Sequence, residues 1–572
     1  MSIFHSTLSF FLFLFFTVDV THASTLCNAT EQPTPLLLFL EKLQETALTT
    51  FGNSSFDPKA YIDVSLKLDL AETIDAFDKL PKSKNGSVSI HDFEEFSNKF
   101  LNEAGTDLLY HEPEDFMPEP AEFLPNVKNA EVRKWAVEVH WLWRNLCRRV
   151  ADGVREHPEL HTLLPLPKPM IIPGSRFIEV YYWDSYWSIR GLLVSKMYET
   201  AKSIVYNLIS LIDEYGHVLN GARAYYSNRS QPPLLSAMVM EIYNRTNDLE
   251  LVNRSHSLHW LKNTSFGIQD NEGCNHTLAR YFAKWNKPRP ESSTTDKESA
   301  SKLLNVEKQQ FYREVASTAE SGWDFSTRWM RNHSDVTTLS TTSILPVDLN
   351  AYILKIEIDI ASLARTTGQN SVAEEFSNAS QARRKAIQSI FWNDQKGQWL
   401  DYWFTNSSIC EDVHPWEAQN QNQNEFASNF IPVWLELFES DNITVKRVME
   451  SLANSGLLCA AGIATSLSNS GQQWDFPNGW APLQHMIVEG LARSGSKEAR
   501  AMAEDIAVKW LKTNYAAYTK TGTMHEKYDV EACGAVGGGG EYIPQTGFGW
   551  TNGVVLAFLE EFGWPEHRSI DC

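Results

Sequence analysis

Apolar residues recur at spacings of three and four over much of the chain, which predicts a mostly helical protein. The clearest such run covers residues 132–150. A second covers residues 193–211 and ends before Gly216, a residue typical of a helix C-cap. Alternating patterns typical of strands are scarce. Further helices are predicted over residues 33–45, 350–365, 373–390, 425–438, 443–452, 484–494, 497–518 and 551–562.

Long connections separate these helices and contain glycine, proline and tryptophan. Residues 112–125 combine several prolines with acidic residues, which predicts an extended arm rather than a helix. Long irregular connections in a compact domain usually carry function. A helical barrel with its site on the connections at one end accounts for both features. The absence of a fixed-period repeat argues against a solenoid.

Tryptophan is followed by aspartate three times, each time in a different connection: Trp183-Asp184, Trp323-Asp324 and Trp474-Asp475. Taken singly, each pair is more simply explained by an aromatic ring packed in the core beside a locally hydrogen-bonded acid. Together they predict one pocket, built from distant segments, with aromatic walls and carboxylates. Such a pocket suits a sugar, whose C–H faces stack on rings and whose hydroxyls bind carboxylates, amides and arginines.

Composition and net charge limit the possible domain organisation and partners. The chain has 572 residues, of which 43% are hydrophobic and 12% aromatic, enough for a large core. No linker divides it, so we expect residues 24–572 to form a single domain with an N-terminal arm. The net charge is −21, from 50 basic and 71 acidic residues. This balance argues against a nucleic-acid partner, which requires a basic surface.

The N-terminus has the features of a secretory signal peptide, residues 1–23. Residues 8–18 form an apolar run that is short for a membrane span, and Ala23 ends a cleavage site of the usual small-residue type. An uncleaved signal anchor is the alternative, because no Lys or Arg precedes the run. We therefore expect an extracellular or cell-wall protein, or one anchored in the plasma membrane and facing outward.

Sequons and cysteines agree with a secretory route. The Asn-x-Ser/Thr sequons begin at Asn28, Asn53, Asn85, Asn228, Asn244, Asn253, Asn263, Asn275, Asn332, Asn378, Asn406 and Asn442. The seven cysteines show no Cys-x-x-Cys spacing, so no zinc site is predicted. Because their number is odd, at least one is free or pairs between chains.

Two long motifs and six shorter blocks resemble the trehalase family, the inverting α,α-trehalose glucohydrolases. The motifs are PGSRFIEVYYWDSYW at residues 173–187 and QQWDFPNGWAP at residues 472–482. The blocks, in the family's order, are NGARAYYSNRSQPP from Asn220, KPRPES from Lys287, ESGWDFSTRWM from Glu320, LPVDLNAY from Leu345, EKYDV from Glu526 and GGGGEY from Gly537. The match covers nearly everything after the signal and is most like a secreted plant enzyme. It implies an all-α fold, an (α/α)6 barrel with long active-site loops and an N-terminal extension, with trehalose as substrate and no cofactor or metal.

The resemblance also implies roles for individual residues, with Asp324 as general acid and Glu526 as general base. Without the resemblance, Asp324 would be read as a helix N-cap or turn former, and Glu526 as a solvated helix acid. Trp323 and Phe325 would supply apolar surroundings that raise the pKa of Asp324, which fits the acid role. The implied substrate-binding residues are Arg176, Phe177, Tyr181, Trp183, Asp184, Asn220, Arg229, Arg289, Glu291, Gly322, Trp474 and Glu541.

Three details qualify the match. Ser175 stands where the family has a second glycine, and a positive φ there would cost about 1 kcal/mol, which we expect the chain to tolerate. Asn228 heads a sequon beside Arg229, and a glycan there would block the pocket, so we predict that Asn228 is unmodified. Residues 537–540 are four glycines without the Lys-Ser/Thr of a phosphate-binding loop, and the resemblance implies a flexible lid that brings Glu541 to the sugar.

Two other functions stay open on the sequence alone. A different (α/α)6 glycosidase or a phosphorylase would act on another glucoside, although a phosphorylase needs an anion site where Glu526 stands. A sugar-binding protein without catalytic activity would lack one of the two carboxylates, and both Asp324 and Glu526 are present.

Overall fold

The computed structural model describes residues 31–52, 56–254, 265–404, 413–435, 437, 442–565 and 568–572. Within these ranges the chain is predominantly helical, and six helical segments pack side by side into a closed ring. In chain order, these inner segments are Asp184–Val194, Leu235–Thr246, Val347–Thr366, Ala427–Leu435, Ala481–Arg493 and Gly549–Phe562. Each packs against the next, and the last packs against the first.

A second layer of helices surrounds the ring. The outer helices alternate with the inner segments along the chain: Ala130–Leu146, Tyr198–Tyr215, Asn305–Ser321, Asn370–Phe391, Asn442–Asn454 and Lys497–Thr521. Most of them pack directly against an inner neighbour, as Asn370–Phe391 does against Val347–Thr366. The inner segments are buried on nearly all sides, which requires such an enclosing layer. This arrangement is an (α/α)6 barrel, and the all-α prediction is confirmed.

The remaining elements lie outside the two layers of the barrel. Further helices occupy the N-terminal region and the connections: Pro35–Phe51, Pro58–Ile62, Leu70–Asp78, Ile90–Phe100, Asp152–Glu156, Leu249–Arg254 and Ser293–Ala300. The strands form sheets of two or three: Ser65–Leu66, Leu101–Asn102, Leu108–Tyr110, Cys147–Val150, Met170–Ile171, Ser265–Gln269, Asn275–Ala279, Ile344–Leu345, Trp392–Asn393, Gln398–Trp399, Tyr402–Trp403, His414–Pro415, Asn478–Trp480 and Lys527–Asp529. The antiparallel pair of Asn478–Trp480 and Lys527–Asp529 sets Trp480 opposite Lys527.

The segment predicted as one helix over residues 193–211 is two helices, so this prediction was wrong. Asp184–Val194 ends, and Tyr198–Tyr215 begins a few residues later. Between them Lys196 has a φ of 59°, a left-handed conformation that an α-helix cannot include. The break separates an inner segment from an outer helix, and Gly216 caps the outer helix as predicted, with a φ of 74°.

Two other predicted helices differ from the structure. The run at residues 132–150 is helical only as far as Leu146, because Cys147–Val150 forms a strand between two others. The inner segment Ala427–Leu435 consists of 3₁₀ turns rather than an α-helix, and it contains Pro432, which cannot donate a helical hydrogen bond.

The inner segment at residues 235–246 and the outer helix at residues 305–321 were not predicted.

The predicted N-terminal arm contacts an outer helix of the barrel. Residues 112–125 contain no helix, as predicted for an extended arm. Within this arm Asp115 accepts hydrogen bonds from the backbone N–H groups of Glu199 and Thr200 at 2.8 and 3.0 Å. The arm therefore caps the start of an outer helix, where backbone donors lack partners.

The cysteines and the predicted signal can be placed only in part. Cys533 and Cys572 form a disulfide, and Cys147, Cys274 and Cys459 have none. Cys27, Cys410 and the signal at residues 1–23 lie outside the described residues. Within the ranges given above, no helix has both the length and the apolar character to cross a membrane.

Candidate active site

A pocket of about 740 Å³ lies at one end of the barrel. Most of its lining comes from the connections that lead from an outer helix into the next inner segment, at residues 147–183, 216–234, 322–346, 455–480 and 522–548. Because these connections all end where an inner segment begins, residues far apart in the sequence meet there. Long loops at one end of a rigid barrel therefore build the site, as the sequence predicted.

The structure brings every residue predicted for the site to this one pocket. The lining includes both proposed catalytic carboxyls and all the predicted substrate-binding residues: Asp324, Glu526, Arg176, Phe177, Tyr181, Trp183, Asp184, Asn220, Arg229, Arg289, Glu291, Gly322, Trp474 and Glu541. Their proximity is a structural finding, whereas the roles assigned to them remain predictions.

Asp324 follows directly on the end of an outer helix. Gly322 closes that helix with a φ of 73°, and a Cβ atom there would come within 2.8 Å of the Trp183 ring. Only glycine satisfies both conditions, which explains its place before Trp323 and Asp324. The Asp324 backbone carbonyl accepts a hydrogen bond from the Gln473 amide at 2.6 Å, which joins the block at residues 320–330 to the motif at residues 472–482.

The Asp324 carboxyl has an environment suited to an acid. Its side chain keeps 32% of its surface accessible from the pocket but is otherwise surrounded by protein. Burial raises the pKa of Asp324 to about 7, although the Arg289 guanidinium, 3.7 Å away, acts in the opposite direction. A substantial fraction of this carboxyl is therefore protonated near neutral pH.

Glu526 is buried, and three groups fix its orientation. The Tyr542 hydroxyl donates to Oε1 at 2.7 Å, and the Gln545 backbone N–H donates to Oε2 at 3.2 Å. The Trp550 indole N–H donates to the Glu526 backbone carbonyl at 2.9 Å. Burial raises the pKa of Glu526, and this is opposed by the neighbouring Lys527 ammonium and by the hydrogen bonds to the carboxylate.

A third carboxyl, Asp184, lies at the first position of an inner helix. Burial raises its pKa to about 8, with smaller contributions from the negative charges of Glu526 and Asp324. Asp184, Asp324 and Glu526 cannot all be ionised at low cost, because the negative charges of the other two disfavour a third on Asp184. A protonated Asp184 can donate a hydrogen bond to a ligand hydroxyl.

Each of the three predicted arginines is paired with a carboxylate. Arg289 binds Asp296 through Nη2 at 2.7 Å, and the same nitrogen lies 3.2 Å from both oxygens of Glu541. These fixed forks are positioned to donate further hydrogen bonds into the pocket. The carboxylates that pair with the other two arginines come from other parts of the chain. Arg229 pairs with Glu291, and Arg176 pairs with Asp57.

Stacked indoles form one wall. Trp474 and Trp480 are parallel with ring centroids 3.9 Å apart, and Trp474 also stacks on Trp323 at 5.3 Å. Trp183 lies 5.7 Å from Trp474 and completes the cluster. Flat apolar faces beside carboxylates are the surface that a sugar ring requires.

The third Trp-Asp pair does not have the role that its sequence suggested. Trp474 lines the pocket, but the Asp475 carboxylate is buried behind it, where it accepts hydrogen bonds from Ser326 and Thr327 at 2.9 to 3.0 Å. Asp475 therefore holds the segment that follows Asp324, and only two of the three pairs place a carboxyl in the pocket.

Some predicted residues have their polar atoms already engaged. The Asn220 amide nitrogen donates to the carbonyls of Ser230 and Ala319 at 3.0 and 3.3 Å. The Tyr181 hydroxyl donates to Glu179 at 2.5 Å. These groups line the pocket while bracing the loops around it.

The two unusual positions in the motifs have simple local explanations. Ser175 does not have a positive φ, so serine causes no backbone strain there. The buried Asn228 amide donates to the Tyr225 carbonyl at 3.1 Å, and its oxygen accepts from Arg229 at 3.0 Å. The prediction that Asn228 carries no glycan is consistent with this burial.

Sequence reasoning missed several lining residues. Gln473 and Trp480 lie within the motif at residues 472–482, and Tyr542 ends the GGGGEY block, so these segments could have indicated them. Lys59 gave no such signal, because it belongs to the N-terminal region. There its ammonium is buried 2.7 Å from Glu179. The further missed residues are Tyr226, Gln231, Ser292, Ala319, Phe548 and Trp550.

Comparison with known proteins assigns the chain to a family. A family model described as Trehalase matches residues 53–563. The chain is 56% identical over 552 residues to a trehalase of Arabidopsis thaliana, covering 94% of this chain and 88% of that one. It is 36% identical over 516 residues to a trehalase of Homo sapiens, with coverages of 89% and 86%. Among solved structures, a neutral trehalase of Saccharomyces cerevisiae shares the fold, with a TM-score of 0.58 at 22% identity over 75% of this chain and 94% of that one. This chain belongs to the trehalase family of glycoside hydrolases.

Proposed function

We propose that this protein hydrolyses α,α-trehalose to two glucose molecules by a single displacement with inversion. Asp324 is the general acid, and Glu526 is the general base that activates water. The observation that carries this proposal is the meeting of these two carboxyls in one pocket, where the pKa of Asp324 is about 7. Membership of the trehalase family supports the choice of substrate.

The reaction requires a proton on the bridging oxygen and a water molecule at one anomeric carbon. In an inverting enzyme, one carboxyl supplies the proton while the other accepts a proton from the water on the opposite face of the sugar. Asp324 suits the first role, because its raised pKa keeps part of it protonated near neutral pH. Glu526 suits the second, because Tyr542 and Gln545 donate to its carboxylate and fix its orientation.

The surrounding residues suit a disaccharide of two glucose rings. The Trp183 and Trp474 indoles give the pocket an apolar lining, and Arg229 and Arg289 offer fixed hydrogen-bond donors for sugar hydroxyls. Glu541 binds Arg289 and faces the same pocket, so it can accept a hydrogen bond from a sugar hydroxyl.

The pH dependence of activity tests the acid assignment. Since Asp324 must be protonated to react, we expect kcat/KM for trehalose to fall as the pH rises through about 7. The slope should approach about one tenfold loss per pH unit. A value of kcat/KM that stays constant between pH 7 and pH 9 would contradict the assignment.

Asp184 must be separated from this effect, because its pKa is about 8 in the same pocket. The Asp184→Asn variant should turn over more slowly and still lose activity above pH 7. If its alkaline limb disappears, Asp184 rather than Asp324 controls the profile.

We also predict that Asp57, in the N-terminal region, supports catalysis through Arg176. Its two oxygens accept from Nε and Nη2 of Arg176, both at 2.7 Å, which fixes the plane of the guanidinium. The Asp57→Asn variant should therefore lose about tenfold in kcat/KM for trehalose, mainly through a higher KM.

A surface ion pair provides the matched control for this substitution. Asp78 accepts from Lys42 at 2.6 Å, and both side chains are about half exposed. Such pairs contribute little, so Asp78→Asn should match the wild type. If Asp57→Asn also matches the wild type, Arg176 does not depend on the N-terminal region.

A further inference from the structure

Lys527 is a buried cation that the reaction above does not use. It follows Glu526 on a short strand, and its ammonium lies 5.1 Å from the Trp480 ring and 5.6 Å from the Tyr542 ring. Its hydrogen-bond partners are two neutral oxygens, Gln473 Oε1 at 2.7 Å and the Gly539 carbonyl at 3.3 Å. Burying an ammonium is costly, so its position calls for a specific role.

The two hydrogen bonds of Lys527 join parts of the site that carry different functions. Through its amide nitrogen, Gln473 donates to the Asp324 carbonyl at 2.6 Å. Gly539 belongs to the glycine loop, residues 537–540, which leads directly into Glu541. The Lys527 ammonium thus connects the segment of the proposed acid to the loop that delivers Glu541.

The glycine loop rests closely on its neighbours. The Gly537 N–H donates to the Lys527 carbonyl at 3.1 Å, and the Gly540 N–H donates to the Gly471 carbonyl at 3.2 Å. A Cβ atom on Gly539 would lie only 2.4 Å from the Gly471 oxygen, and its φ is 74°. Glycine is therefore required for this close approach. The loop is also held by the Asn478 side chain, which donates to the Gly538 carbonyl at 2.9 Å and accepts from the Gly538 N–H at 3.0 Å.

We propose that Lys527 is a positioning residue that holds the glycine loop against the pocket and, through Gln473, fixes the backbone of Asp324. This inference rests on the proposed function, because it concerns how the reacting groups of that pocket are arranged. With the loop held, Glu541 contacts Arg289 and Tyr542 donates to Glu526. With the loop free, both contacts are weakened, so substrate binding and turnover decline together.

Charge supports the same role. The ammonium lies beside Glu526 and lowers the pKa of that carboxyl, which favours the ionised form that a base needs. Burial lowers the pKa of Lys527 itself to about 8, although the negative charges of Glu526 and Asp324 act to raise it. Tyr542, which follows Glu541 in the chain, is a further titratable group facing the ammonium.

Hydrogen exchange of the free enzyme tests the proposal without any substrate. In the Lys527→Met variant, we expect the amides of residues 537–541 to exchange at least about tenfold faster than in the wild type. The Lys527→Arg variant, which keeps a cationic donor, should restore most of the protection. The matched control is Lys520→Met, which makes the same substitution at an exposed lysine and should leave the loop unchanged.

Kinetics on trehalose provide the second readout. We expect Lys527→Met to lower kcat/KM by about 100-fold, with a higher KM and a lower kcat, and Lys527→Arg to recover at least part of both. If exchange in residues 537–541 is the same in Lys527→Met as in the wild type, the proposal is overturned, whatever the activity of the variant. If Lys527→Met does not fold, Lys527→Gln decides instead, because its shorter neutral side chain cannot reach both oxygens and should loosen the loop.

The exchange experiment tests the role of Lys527 independently of the proposed function. A wild-type enzyme that leaves trehalose intact but keeps its loop protected through Lys527 would refute the function and not the contact. An active wild type whose loop protection is the same in Lys527→Met would refute the contact and not the function.

Discussion

Replacing Asp324 by asparagine is expected to lower kcat for trehalose by about 10³-fold. An amide cannot give a proton to the bridging oxygen, so the sugar must leave as an alkoxide. The shape of the side chain and its place beside Arg289 are retained, so KM should change much less. Initial rates of glucose release by the purified variant provide the measurement.

A substrate that needs no acid provides the control. With α-D-glucosyl fluoride, the leaving fluoride requires no proton, so Asp324→Asn should keep most of its activity. A loss of less than about tenfold on trehalose, or an equal loss on both substrates, would contradict the acid assignment.

Stability of the same variant gives an independent check. The pKa of Asp324 is about 7 in the pocket against a usual value of 3.8, so the folded state holds this proton more tightly than the unfolded state. This difference in proton affinity between the folded and unfolded states lowers the free energy of unfolding as the pH rises from about 4 to about 7. Asparagine has no such dependence, so the variant should melt above the wild type at pH 8, by a margin that shrinks at pH 5.

The second large effect is expected at Glu526. The Glu526→Gln variant should lose about 10³-fold in kcat, because a neutral amide cannot accept a proton from the attacking water. In contrast to Asp324→Asn, this variant should be slow on α-D-glucosyl fluoride as well, since water must attack in both reactions. Parallel rate measurements on the two substrates therefore separate the base from the acid.

Glu541 provides the matched comparison, because it is another glutamate of the same pocket. It contacts Arg289 rather than a proposed water site, so Glu541→Gln should raise KM more than it lowers kcat. If Glu541→Gln loses kcat on both substrates and Glu526→Gln does not, the base has been assigned to the wrong residue.

The sequence predicts the barrel well where its helices are amphipathic, and less well where they are not. The outer helix at residues 370–391 has an apolar face that the spacing reveals. The outer helix at residues 305–321 buries polar residues such as Arg313, Glu314 and Ser317, so its pattern is obscured. The inner segment at residues 427–435 is buried along its whole length and mostly apolar, and a pattern of this kind does not distinguish an α-helix from 3₁₀ turns.

The pocket was predictable because its residues lie in extended motifs, and the contacts that support it were not. Without the motif, Glu526 would have been taken for a surface acid, although the structure buries it. Asp57 and Arg176 are separated by 119 residues, and no local pattern joins them. Lys527 shows the same limit, since its role depends on a carbonyl from another loop.

Identical dipeptides also acquire different roles in the fold. Asp184 and Asp324 face the pocket, whereas Asp475 accepts hydrogen bonds behind it. The difference comes from the backbone around each pair, because Asp475 lies in a tight segment facing Ser326 and Thr327. Only the tertiary structure separates a carboxyl that meets the ligand from one that holds the loop.

Proton NMR of the purified protein mixed with α,α-trehalose tests the central claim most directly. The anomeric signals are followed from the first minutes, before mutarotation mixes the products. The account predicts equal amounts of α- and β-glucose, because one ring is released with inverted configuration and the other keeps its own. Release of α-glucose alone would show retention and contradict the roles of Asp324 and Glu526, and folded protein that releases no glucose would contradict the proposed function itself.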